Sequence, residues 1–118
     1  MSKSANPGEL RTAVTVTRIT RTTDDEGYPS EAEVNVFGTD ATVMVKWVNA
    51  HGSDAFTAMQ LQLREPATVT MRYSPLVTRD ALIYRGADPE PYEIISIDNV
   101  GEGNAWLEIK VQRKEAAR

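Results

Sequence analysis

The feature that most restricts how this chain can fold is a two-residue apolar period that recurs along most of its length, with no cysteine to brace it. Val14 and Val16 alternate with Thr15 and Thr17. Val43, Val45 and Trp47 alternate with Met44, Lys46 and Val48, and Val69, Met71 and Tyr73 with Thr68, Thr70 and Arg72; Leu107, Ile109 and Val111 repeat the pattern near the end. Alternation places one set of side chains on each face of an extended strand, so strands of this kind gain stability only by covering one face with another layer or by closing on themselves. At 118 residues and 41% hydrophobic composition the chain suits one domain. A domain of that size hides roughly two-thirds of its unfolded surface, enough for a core without disulfides or metal.

Turn residues divide the pattern. A Thr-rich strand over 11–20 meets a loop, Thr22 to Ser30, holding three acidic residues, Gly27 and Pro29. Alternation returns at Val34 and Val36, breaks at Gly38-Thr39-Asp40, and resumes from Ala41 to Val48. Apolar groups on both faces of that segment predict the most buried strand. Ser53 has the chemistry of a helix N-cap with Asp54 in the first turn, and Phe56, Met59 and Leu63 follow at helical spacing, so a short helix is expected from Ser53 to about Gln62, stopped before Pro66. Further strands are expected over 67–73, 81–85, 92–98 and 105–112. The reading is a mainly β chain, a small single-domain β-barrel or sandwich of about six to seven antiparallel strands with one short helix in a long inter-strand loop. Residues 1–9 are expected to form a flexible arm, 10–112 the barrel, and 113–118 a basic tail.

Charge and chemistry narrow the function. Thirteen Lys and Arg against 17 Asp and Glu give a net charge of −4, opposite to what a chain gripping duplex DNA through many phosphates requires. No apolar run reaches the ~18 residues of a bilayer span and the first residues lack a signal-peptide core, so a protein made in a cytoplasm with no membrane partner is expected. The single histidine, His51, lies beside Ser53 and Asp54, but sequence neighbours do not create a nucleophile, base and orienting acid. No catalytic residue, metal ligand set or cofactor site is assigned. Asp24, Asp25, Glu26, Glu31 and Glu33 lack the ligand spacing of a calcium loop and read as a solvated tip and a charged edge that discourages stray pairing. Trp47, Trp106, Tyr73, Tyr84 and Tyr92 fall on strands, which raises an oligonucleotide-binding barrel acting on single strands as the rival reading. Their neighbours are not systematically basic, and core packing is the simpler account.

The order of segments adds to this. Leu10-Arg11 opens the Thr-rich strand, Asp24-Asp25-Glu26-Gly27-Tyr28-Pro29 forms a polar loop, and Ala41-Thr42-Val43-Met44-Val45 precedes a Gly-Ser-Asp turn and an Ala-Met-Gln-Leu helix. Val69-Thr70-Met71-Arg72-Tyr73, a Thr78-Arg79-Asp80 turn, Ile83-Tyr84-Arg85-Gly86 and Tyr92-Glu93-Ile94-Ile95-Ser96-Ile97 follow. In this order the chain, from about Leu10 to Gln112, resembles the head–tail joining proteins of long-tailed DNA phages, also called head-closure or stopper proteins. The resemblance implies a structural, non-enzymatic barrel subunit in the virion neck. It also implies a homo-oligomeric, dodecameric ring in the virion, with the isolated subunit able to be monomeric. The portal or adaptor would lie above the ring, a tail or tail-completion protein below it, and packaged duplex DNA would occupy the channel without sequence specificity. By position, Val48 to Glu65 is the channel segment, which makes His51, Ser53, Asp54, Gln60 and Gln62 candidates for lining or gating it. Asp24, Asp25, Glu26 and Tyr28 in the polar loop, with Lys110, Arg113 and Lys114 near the end, are the candidate contacts to neighbouring subunits or partners.

Overall fold

The computed structural model describes residues 7–50, 59 and 63–114. Seven antiparallel strands are present among them: β1 (Thr12–Thr23), β2 (Pro29–Asn35), β3 (Val43–Asn49), β4 (Ala67–Arg72), β5 (Leu82–Arg85), β6 (Tyr92–Asn99) and β7 (Trp106–Arg113). They run β2-β1-β3-β4-β7-β6-β5 across the sheet, and β5 pairs back onto β1. That last pairing closes six strands into a barrel and leaves β2 outside as a seventh. Closure removes the exposed edges of the six barrel strands, while β2, paired only with β1, keeps one.

The barrel is filled by the alternating residues. Val69 stands opposite Ile109, Met71 opposite Leu107 and Ala67 opposite Val111 across the β4–β7 pair; all six are buried. Val14 and Val16 of β1, Val45 of β3, Ile83 of β5, Tyr92 and Ile94 of β6, and Val77 and Ala81 between β4 and β5 complete the core. Small barrels have room inside only for side chains, so the core is the lumen itself. In β6 the inward residues Ile94 and Ile97 lie three apart because a bulge between Ile94 and Ser96 adds one residue, which keeps both facing inward.

The expectation for β3 is corrected. Strand β4 buries three of its six residues, whereas β3 buries Val45 alone and its Met44 and Val48 are 46% and 36% exposed. In a closed barrel each strand has one face outward whatever it carries, so apolar residues on both sides of β3 give surface hydrophobes, not a doubly covered strand. Of the expected 53–62 helix only Met59 falls within the described residues; it is helical and three-quarters exposed. Strand β7 runs through Arg113, past the boundary drawn at 112.

Candidate interaction surfaces

Strand β1 is long enough to do two jobs. Its first half, to Thr17, pairs with β3 and β5 in the barrel wall. Its second half pairs only with β2, in a ribbon of seven residue pairs from Thr17↔Asn35 to Thr23↔Pro29. The ribbon's direction is fixed at its root. Glu33 of β2 accepts hydrogen bonds of 2.5 Å from the Thr17 hydroxyl and from the Tyr84 hydroxyl of β5. Partial burial, followed by the bond to Glu33 and its charge, pushes the Tyr84 phenol up to about 12. At the tip, the Asp24 carboxylate accepts from the amides of Glu26 and Tyr28, and Gly27 takes a positive φ that a side chain would resist. This turn leaves the Tyr28 ring 64% exposed among acidic neighbours. Ile19 and Val34, on opposite faces of the ribbon, are nearly half exposed.

Beside the ribbon's root lies a notch of about 170 Å³ lined by Arg18, Thr20, Val34, Asn35, Val36 and Leu76. Leu76 reaches it from the turn after β4 and is 49% exposed. The same region includes Asp80, whose carboxyl is held below the ordinary carboxylate value, chiefly by the Thr78 hydroxyl, with the charge of Arg18 also contributing.

The third feature is a clamp among Ala50, the segment from Leu63 to Pro66, and the end of β7. The Ala50 amide donates to the Pro66 carbonyl, and the Arg113 amide donates to the Arg64 carbonyl at 2.8 Å. The Arg113 guanidinium is nearly buried and donates to Glu65, to Asp88 at 2.8 Å and to the Glu90 carbonyl, while packing 4.3 Å from the Tyr92 ring centroid. Its acidity is suppressed by these bonds, Glu65 first and Asp88 second. Asp88 in turn is held acidic by the Glu90 amide and by Arg113. Glu65 has a φ of 42°, a costly conformation for a non-glycine residue, and the ion pair with Arg113 opposes its relaxation. Trp47 completes the cluster, edge-on to Tyr92 with Arg85 over its ring at 5.0 Å.

The residues singled out from sequence are therefore scattered. Asp24, Asp25, Glu26 and Tyr28 share the ribbon tip. Arg113 spends its donors inside the chain. Lys110 lies on the outer face of β7, donating to Thr68 at 2.9 Å, and Lys114 follows the strand, its amide bonded to Pro91. His51, Ser53, Asp54, Gln60 and Gln62 lie outside the described residues. Among the described residues no group of three acidic or metal-binding side chains could hold a metal, and no helix is long and apolar enough to cross a membrane. Sequence reasoning missed Glu65, Asp88 and Leu76, and read Glu33 as part of a charged edge, not as the acceptor for Thr17 and Tyr84. The Thr17–Glu33 and Arg113–Asp88 partnerships depend on register and closure, which leave no local signature; Asp88 in Asp-Pro-Glu-Pro signalled only a turn.

Among the described residues the fold is a closed antiparallel barrel carrying a projecting two-stranded ribbon, its polar clusters holding turns and strand ends. The chain belongs to the phage head completion protein family, whose sequence signature matches residues 5–115. This is a structural family of the phage particle, so the chain is a virion component involved in head closure at the head–tail junction. No curated protein matches it. Among solved structures, the solution structure of a Shigella flexneri 2a protein is similar to 96% of this chain and all of its own, with a TM-score of 0.68 at 20% identity. That likeness concerns the fold alone.

Proposed function

We propose that this chain is a head-closure subunit that forms a ring, dodecameric in the virion, beneath the portal or its adaptor, retaining packaged DNA and offering the surface to which the tail attaches. The observation that carries this reading is the family match over residues 5–115. The geometry supports it: a barrel without open edges must assemble through its ribbon, loops and side-chain surfaces, and those are the parts left exposed. In this reading the 48–65 stretch, with His51, Ser53, Asp54, Gln60 and Gln62, lines the channel. The clamp at Arg113 fixes its two stems, and the net negative charge keeps transiting DNA from adhering.

The test is a set of phage particles assembled without this chain. Heads should package DNA, lose it, and carry no tails, and the purified chain added back should restore both properties. Tailed, DNA-filled virions lacking the chain would refute the reading. The single-strand-binding alternative has less support, because Arg85, Arg113 and Arg72 already cover ring faces of Trp47, Tyr92 and Trp106. Titration with single-stranded DNA should leave tryptophan fluorescence unchanged.

A further inference from the structure

The ribbon tip and the notch at the ribbon root are complementary and sit at opposite ends of one stiff element. The tip offers an exposed aromatic ring, Tyr28, flanked by Asp24, Asp25 and Glu26. The notch offers an apolar floor from Val34, Val36 and Leu76 with the exposed Arg18 at its wall. Its volume falls below the ~300 Å³ at which small-molecule sites begin, which suits one inserted side chain. A tip cannot reach the notch of its own chain. The paired strands hold it roughly 20 Å away, from about six residues at ~3.3 Å each. The tip is therefore free to meet the notch of a neighbouring copy.

We propose that the ribbon tip of one copy docks in the notch of the next, with Tyr28 entering between Val34 and Leu76 and the acidic tip facing Arg18. This rests on the ring-forming reading above and names the surfaces that would make the ring. Tip and notch are different patches, so each copy gives one and receives one, and head-to-tail repetition about an axis, where the rotation closes, builds the ring that the reading above requires. Tyrosine is a frequent anchor residue at such contacts because it buries a large rigid surface while keeping a polar end. The charges add orientation and discourage the reversed pairing of two acidic tips.

The absence of cysteine allows a clean test. Ser30→Cys and Pro75→Cys, exposed positions beside Tyr28 and Leu76 that leave both anchors in place, are assembled singly and together onto heads lacking the native chain and treated with a short bismaleimide. The double variant should give a ladder of covalent multimers, and each single variant only monomer. Arg18→Glu should lower the ladder about tenfold, and Asp25→Arg in the same chain should restore it. A double variant that stays monomeric on heads that retain their DNA overturns the docking while leaving the ring reading intact. A chain that never associates with heads sinks both. Failure of Asp25→Arg to restore the ladder overturns the charge pairing.

Discussion

Strand β1 passes through two environments along its length. Val14 and Val16 in its first half are fully buried, whereas Ile19, three residues past Val16, is 47% exposed. Both stretches are extended and Thr-rich, but the second carries Arg18 and Arg21, with Ile19 as its one apolar residue. Two things separate them: Ile19 faces the opposite side of the strand from Val14 and Val16, and the first half has β3 and β5 beside it and a filled lumen beneath, whereas the second has β2 alone. An apolar strand residue stabilises a fold only when another layer covers it. In the ribbon an apolar residue is free to serve a partner instead.

The largest test of that contrast is to truncate one residue in each region. Ile109→Ala, in the lumen, should cost about 2–5 kcal/mol in denaturant unfolding. Ile19→Ser, on the ribbon, should change stability by less than about 0.5 kcal/mol. Equal losses would mean that the ribbon is part of the cooperative core.

Arg113→Ala should come next, at about 1–2 kcal/mol, since it strips Glu65 and Asp88 of a charged donor at a mostly exposed rim. Lysine at this position should recover only part of the loss, because its point charge cannot serve Glu65, Asp88 and the Glu90 carbonyl together. Glu33→Gln should have a smaller and more local effect, of about 1 kcal/mol. Amide exchange should quicken across 29–35 and stay unchanged in β4 and β7. Protection lost throughout the barrel would show that ribbon and barrel are not separable.

The subtlest expectation is that the two regions weaken at opposite ends of the pH scale. Asp88 is more acidic in the folded chain than its ordinary 3.8, so its contribution is complete above that value and is lost as pH falls toward and through the folded one. Tyr84 is shifted the other way, from 10 to about 12, so its contribution is complete below pH 10 and fades as pH rises to 12. Asp88→Asn should flatten the acid side of the stability profile and Tyr84→Phe the alkaline side, as followed by circular dichroism. A profile that neither substitution alters would remove the clamp and the ribbon anchor as titrating elements.

The amino-acid sequence by itself determined the strands, the turn positions and which residues face inward, because alternation and turn chemistry act over a few residues. Val69, Met71, Leu107 and Ile109 were legible for that reason. It also determined that the acidic turn at 24–28 would be a solvated tip, since Asp24 needs only nearby amides to form it. The tertiary structure alone decided that β5 returns to β1, that β3 keeps an apolar face in water, and that Glu33 and Arg113 find partners 51 and 25 residues away, at Tyr84 and Asp88. Those outcomes follow from closure, in which the pairing of one strand fixes the surroundings of all the others. No local pattern encodes a neighbour that only the completed barrel brings into reach.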